Sequence, residues 1–362
     1  MRLRLGQGDA LPRPERLVYM EPNPGSILSH GGEPMTQPQA TPEPTAPDPG
    51  DTIADAVRGN WVDRLAPPWS RPFLRLSRAD RPIGTWLLLL PCWWGVLLAA
   101  ASVPGSAGWL TVWIVAGCAV GAFLMRGAGC TWNDITDREF DGRVARTRLR
   151  PIPSGQVTVR GAAAWMVVQS LVAFGILITF NWAAIALGVA SLAVVAVYPF
   201  AKRFTWWPQV FLGLAFNWGA LLAWTAQTGS LSWAAVLLYL AGIAWTVFYD
   251  TIYAHQDRED DALIGIKSTA RLFGENTHRW LRVFLVAAVV LMAAAVVVAL
   301  LPRGSLPAML LGLFGVWAFG AHLCWQLTRL DPDDPEVCLR LFRANRDAGL
   351  LPVPFLAAAL FV

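Results

Sequence analysis

The chain has 362 residues, of which 55% are hydrophobic and only 15% charged, with a formal net charge of +4 and a mean hydropathy of +0.44. A soluble chain of this length would carry about 25% charged residues, so a soluble enzyme, a nucleic-acid binder and a disordered scaffold are all excluded. The composition is that of an all-α polytopic membrane protein.

Residues 1–66 differ from everything that follows. Glu21 to Gly50 holds eight Pro and little aliphatic surface, too little to offset the entropy of ordering, so this extension is expected to be disordered. It lacks the apolar core of a secretory signal. Its Arg2, Arg4, Arg13 and Arg16 alternate with Asp9, Glu15 and Glu21, unlike an acid-poor transit peptide. Met20 and Met35 are alternative starts. Residues 67–362 read as one transmembrane domain. Apolar stretches of about 20 residues, the spanning length, fall near 84–102, 109–130, 161–180, 182–200, 209–228, 232–250, 279–301, 305–327 and 348–362. About nine transmembrane helices are expected, with only Phe180 and Asn181 separating the third from the fourth.

Loop charge orients them. The connections after helices 2, 4, 6 and 8 hold seventeen Lys and Arg, whereas the opposite connections hold only Arg303. By the positive-inside rule the N-terminus and the charged loops face the cytoplasm. The five Cys show no metal-ligand or disulfide spacing.

Between Gly84 and Thr328 nine of ten acidic residues fall in two clusters. In the first, Asn133, Asp137 and Asp141 are spaced i, i+4, i+8 and share one face if helix 2 continues through them. In the second, Asp257 and Asp261 repeat the step. Asp137 and Asp257 are 120 residues apart, as are Asp141 and Asp261, a hint of internal duplication. Carboxylates so placed beside apolar helices repel one another unless a cation lies between them. Oxygen ligands suit Mg²⁺, which takes a few carboxylates together with substrate phosphate oxygens. Two such faces pointing at each other would hold two Mg²⁺ with a diphosphate between. The alternative is a solvated loop of surface ion pairs, which stabilise little.

Basic residues accompany the clusters: Arg143, Arg146, Arg148 and Arg150 after the first, Lys202 and Arg203 after Tyr198-Pro199, and Lys267-Ser268-Thr269 after the second. The loop rule alone accounts for most of these Arg. Arg126 lies inside an apolar helix, where it either faces a cavity or snorkels to the interface.

These motifs resemble the UbiA family of intramembrane aromatic prenyltransferases, and most of all its ubiquinone-type branch. The likeness runs from about Arg81 to Val362. It includes Arg81-Pro82-Ile83-Gly84, the block Asn133–Asp141, and Arg146-Thr147-Arg148-Leu149-Arg150-Pro151-Ile152-Pro153-Ser154-Gly155. It continues through Tyr249-Asp250-Thr251 with Tyr253-Ala254, Asp257–Asp261, and Gly265-Ile266-Lys267-Ser268-Thr269-Ala270. The long Pro-rich N-terminus is not required by the family. The resemblance implies nine helices around a central cavity that opens laterally to lipid, with a cap of cytoplasmic loops. It implies Asn133 and Asp137 on one Mg²⁺, Asp257 and Asp261 on the other, and Asp141 supporting the first site. Arg138, Lys202 and Arg203 match positions associated with diphosphate or acceptor binding, and Tyr198 a cavity residue near the allylic carbon.

The expected reaction is Mg²⁺-dependent transfer of a prenyl group from polyprenyl diphosphate to the ring of 4-hydroxybenzoate, in a bacterial cell inner membrane. Catalysis is expected to rest on Asp137, Asp141, Asp257, Asp261 and Tyr198. The expected partners are the two substrates and membrane lipid, with no nucleic acid. Arg81, Lys202, Arg203 and Lys267 are equivalent candidates for the acceptor carboxylate, and Tyr198, Phe216 and Tyr253 offer π faces to an allylic cation. A different aromatic acceptor is the nearer alternative. An ion-coupled secondary transporter is the remoter one, and it would place its carboxylates near the bilayer midplane.

Overall fold

The fold was analysed in a computed structural model, which describes residues 59–142, 147–263 and 265–362, leaving the side chains of residues 259 and 260 aside. The extension expected to be disordered lies outside the described residues up to position 58. Its last residues form a short helix, α1 (Trp61–Leu65), capped by the Asn60 side chain. Arg143 and Arg146 also lie outside the described residues. Every regular element among the described residues is helical.

After α2 (Arg71–Leu76) the chain turns through Arg78, a non-glycine residue at φ 56°, into α3 (Ile83–Ser102). Then come α4 (Trp109–Asp141), α5 (Val159–Leu177) and α6 (Trp182–Val197). Pro199 ends α6 because it has no N–H to continue the ladder. A 3-10 turn at Tyr198–Phe200 leads to α7 (Ala201–Phe204). Next follow α8 (Pro208–Thr228), closed by Gly229 in the left-handed region, and α9 (Trp233–Ala254). A turn at His255–Asp257 precedes α10 (Arg258–Leu263) and α11 (Thr269–Phe273). The chain ends with α12 (Thr277–Leu300), α13 (Leu306–Arg329), α14 (Pro335–Leu350) and α15 (Pro352–Ala358).

Eight helical segments among the described residues are long and apolar enough to cross a membrane, so the protein is a multi-pass membrane protein. The ninth expected span, 348–362, does not form one apolar helix. The chain breaks between α14 and α15 around Leu351-Pro352, because Pro352 has no N–H to continue the helical ladder. α14 begins thirteen residues earlier than expected and carries charge along its outer face. It is nevertheless packed into the bundle. Trp245 Nε1 donates to Asn345 Oδ1 (2.8 Å), Asn345 Nδ2 donates to Gln326 Oε1 (2.9 Å), and Trp94 Nε1 donates to the Gly349 carbonyl (2.8 Å).

α3 and α9 are the most enclosed spans, and α5 and α6 the least. α3 packs along α8, α8 along α9, and α9 along α12. A Cβ on Gly95 would lie 2.6 Å from the Ala220 carbonyl oxygen, so only glycine allows α3 this close to α8. The break between α5 and α6 is held by Asn181, whose side chain caps α6 and donates to the Thr225 and Ala226 carbonyls of α8. α5 exposes Val167, Val168, Leu171 and Val172, a lipid-facing surface. At the end poor in charge, α4, α6 and α9 each begin on an exposed Trp (Trp109, Trp182 and Trp233), as an interfacial aromatic belt does.

α4 runs for 33 residues, about 50 Å, against a hydrocarbon core of about 30 Å. Its last turns therefore project beyond the membrane at the charge-rich end, carrying Asn133, Asp137 and Asp141.

Arg303, the isolated cation at the opposite end, acts as a clasp. Its guanidinium donates to the carbonyls of Ala101 (2.7 Å), Ala359 (2.9 Å) and Val362 (3.0 Å). Arg303→Ala should cost about 1–3 kcal/mol and lower the melting temperature in detergent by a few degrees. An unchanged melting temperature would contradict this role.

Candidate active site

At the charge-rich end, α3, α4, α8 and α9 enclose a polar cavity of about 390 Å³. One wall is α4, where Asn133, Asp137 and Asp141 point inward together because the helix continues unbroken to Asp141. Across it stand Asp250, Asp257 and Asp261, from α9, the turn after it, and α10. The two acidic clusters, far apart in sequence, share one chamber.

Asp137, 1% exposed, accepts from Lys202 Nζ at 2.5 Å and from Arg203 at 3.1 Å. Arg203 also donates to the Thr136 carbonyl, and its guanidinium lies over Phe200 (5.1 Å) and Phe140 (5.2 Å). Lys202 lines the cavity, whereas Arg203 reaches Asp137 from the rim. The Pro199 turn is what brings α7 and these two cations over the end of α4.

The Gly265–Thr269 block has a local logic. Gly265 takes φ 75°, Ser268 caps α11, and Thr269 Oγ1 shares a hydrogen bond with Thr251 Oγ1 (2.6 Å). The Lys267 backbone N–H donates to the Lys202 carbonyl (3.2 Å). Its ammonium, at the cavity wall, reaches the Phe204 carbonyl (3.3 Å) and lies 6.0 Å from the Trp206 ring. Arg271 donates to the carbonyls of Asp261 and Ile266. The two cap segments are thereby sewn together above the chamber.

Of the remaining sequence candidates, Arg81 lines the cavity and pairs with Asp80 at 3.2 Å, and Tyr198 donates its hydroxyl to the Gly129 carbonyl at 3.2 Å. Arg138 is not brought to the chamber. One residue on from Asp137 is about 100° round the helix, so Arg138 is half-exposed and pairs with Glu139 instead. Asp141 lines the cavity but is already held by Arg150 Nη1 at 2.7 Å.

That contact belongs to a buried network. Asp134, fully buried, accepts from Arg78 at 2.6 Å and lies 3.5 Å from Arg150. The Thr147 hydroxyl donates to the Asp141 carbonyl (2.8 Å). Burial opposes charge on Arg78, but the Asp134 carboxylate overcomes it and leaves the guanidinium harder to deprotonate than an ordinary Arg. The network ties α4 to the turn before α3 and to the Arg150 loop.

Arg150 and Asp250, which the sequence candidates omit, line the chamber, and so does Arg126, for which the sequence left two readings open. Arg150 is hidden among many loop Arg. Asp250 lies seven residues before Asp257, two helical turns on the same face, and that spacing was a usable signal. Arg126, seven before Asn133, faces the cavity rather than snorkelling. Its guanidinium lies 5.4 Å from the Phe216 ring centroid and donates to Cys130 Sγ (2.5 Å). Its Nε is buried without a partner. A Cβ on Gly84 would sit 2.2 Å from that Nε, which explains the glycine in Arg81-Pro82-Ile83-Gly84.

A second cavity of about 220 Å³, walled by apolar side chains of α3, α4, α5, α6 and α8, shares Arg126, Tyr198 and Phe216 with the first. A charged chamber therefore opens onto a greasy one at a threshold of one cation and two aromatic rings. Among the described residues no three Asp, Glu, His or Cys side chains form a preformed metal cage. The oxygen donors stand instead on opposing walls.

The chain belongs to the UbiA prenyltransferase family, which residues 88–346 match. It is similar to proteins named "4-hydroxybenzoate polyprenyltransferase, mitochondrial". One, from Rattus norvegicus, is 44% identical over 359 residues, 96% of this chain and 91% of that protein. Another, from Aedes aegypti, is 46% identical over 284 residues, 77% of this chain and 61% of that protein. Among solved structures, the fold matches the apo structure of a UbiA homolog from Aeropyrum pernix K1 (TM-score 0.60, 22% identity, covering 76% of this chain and 96% of that one). It also matches a UbiA homolog from Archaeoglobus fulgidus bound to GPP and Mg²⁺ (TM-score 0.59, 18% identity, covering 80% and 100%).

Removing one partner of a buried ion pair strands the other. Arg78→Ala and Asp134→Ala should each cost about 3–5 kcal/mol, and the double variant less than the sum. Additive losses in a double-mutant cycle of unfolding would refute the pairing.

Proposed function

We propose that the chain transfers a polyprenyl group from polyprenyl diphosphate to the ring carbon ortho to the hydroxyl of 4-hydroxybenzoate, releasing diphosphate. The observation that carries this reading is the acidic chamber opening onto an apolar one at Arg126, Tyr198 and Phe216. A diphosphate belongs in the first and its isoprenoid tail in the second. The relatives' names supply the acceptor.

The donor set suits Mg²⁺: an amide and carboxylates on opposing walls, with room for phosphate oxygens and water. Asn133 and Asp137 would hold one ion, Asp257 and Asp261 the other. Bound there, Mg²⁺ neutralises charge developing on the departing diphosphate.

Lys202 and Lys267 present cations from the cap toward the phosphates. Arg150 holds Asp141, which keeps the end of α4 in register as a positioning residue. The allylic C–O bond breaks with its electron pair on diphosphate. Tyr198 and Phe216 flank the threshold where the allylic carbon leaves the phosphate chamber, and apolar walls keep water from the cation. The ring carbon then forms the new C–C bond and gives up its proton to the released diphosphate, which restores the aromatic ring.

For the acceptor carboxylate the contacts of each cation favour Arg126. Lys202 and Arg203 are engaged by Asp137, Lys267 by a backbone carbonyl and Arg81 by Asp80. Arg126 keeps an unpartnered Nε at the threshold and is the cation best placed for it. Tyr253 and Phe342, with ring centroids 4.5 Å apart, offer an aromatic wall. The clusters lie at helix ends rather than mid-membrane, which disfavours ion-coupled transport.

With Mg²⁺, polyprenyl diphosphate and 4-hydroxybenzoate, the purified protein should form the prenylated acid, and chelation should stop it. Asp137→Asn and Asp257→Asn should each lower kcat by about 100-fold or more while the protein still inserts. Product at the wild-type rate after chelation, or in either variant, would refute the scheme.

We propose a bacterial cell inner membrane as the setting, and the loop-charge asymmetry supports a chamber on the cytoplasmic side of it. A membrane-impermeant thiol reagent applied to intact cells should label Ser106→Cys but not Arg329→Cys, and the reverse pattern would overturn the orientation.

A further inference from the structure

α4 carries four glycines, each of which weakens a helix by its backbone freedom. Two are explained by packing. A Cβ on Gly127 would lie 2.0 Å from Gln169 Oε1, and one on Gly117 would meet Ile176 at 3.0 Å and Phe180 at 3.3 Å. The other two, Gly121 and Gly129, are required by no neighbour, since a Cβ on either would meet nothing within 4 Å. Both line the apolar chamber. What they preserve is the open volume itself.

Their heights along α4 give the chamber a scale. Gly129 is level with the threshold, where its carbonyl receives the Tyr198 hydroxyl. Gly121 lies eight residues further in, about 12 Å along the axis, and Gly117 about 6 Å beyond that. Each prenyl unit adds four chain bonds of about 1.5 Å, roughly 5 Å when projected along a zigzag. The second prenyl unit therefore ends near Gly121 and a third must pass it.

Resting on the prenyl-transfer reading above, we infer that Gly121 sets which donors the chain accepts: the missing side chain lets tails longer than two prenyl units run on past α4. A bulky residue there is a stop at the second unit, and the same residue at Gly129 is a stop at the first. Gly175 on α5 supplies the control, being exposed, equally uncrowded and outside the chamber.

The test is kcat/KM of the purified protein, with Mg²⁺ and 4-hydroxybenzoate, for geranyl, farnesyl and geranylgeranyl diphosphate. Gly121→Phe should shift the geranyl-to-geranylgeranyl ratio by about 30-fold or more toward the short donor. Gly121→Val should shift it less in the same direction, and Gly175→Phe should leave it at the wild-type value. A wild-type protein inactive with every donor would defeat the prenyl-transfer reading itself. An active wild type whose donor ratio is unmoved in both Gly121 variants, whether their activity is kept or lost evenly, would overturn the inference alone.

Discussion

Carboxylates gathered at the edge of an apolar bilayer must be neutralised, and most of this fold's charged architecture answers that demand. Asp137 is gripped by Lys202 and Arg203 from α7, Asp134 by Arg78, and Asp141 by Arg150. Each pairing fastens a different segment to the end of α4. The cap is ordered because the acids need its cations, and the acids stay in place because the cap holds them.

The same need explains how one site serves two chemistries. The charged chamber is confined to the membrane edge, where α4 overhangs the hydrocarbon and loops supply Arg and Lys. Beyond Arg126, Tyr198 and Phe216 the walls are apolar and glycine-rich. A substrate with a doubly charged head and a hydrocarbon tail meets both environments across a single threshold. Lys202 and Arg203 each hold one oxygen of Asp137, so the acid stands neutralised at the chamber wall.

Much of this could be read from the sequence. Run lengths marked eight of the spans, the i, i+4 spacing placed three polar residues on one face of α4, and loop charge separated the two ends. Four details were not legible, each because it depends on contacts between distant segments. α14 reads as charged loop, and only its Asn345–Trp245 and Gly349–Trp94 bonds make it part of the bundle. Asp141 reads as a support of the first acidic site, but the Arg150 guanidinium set against it is not visible in the sequence. Arg138 matches a family position associated with diphosphate or acceptor binding, but it lies outside the chamber lining and pairs with Glu139. Arg126 looked ambiguous because its cavity is built by α3 and α8, which no local pattern reports.

The central claim is that opposed acids on α4 and α9–α10 jointly hold one diphosphate anion. An experimental structure with Mn²⁺ and a non-hydrolysable prenyl thiodiphosphate tests it most directly. Anomalous peaks should appear beside Asn133 and Asp137 and beside Asp257 and Asp261, with the diphosphate between them and the tail running past Tyr198 and Phe216. A diphosphate bound to one acidic wall alone, or outside the chamber, would contradict the account.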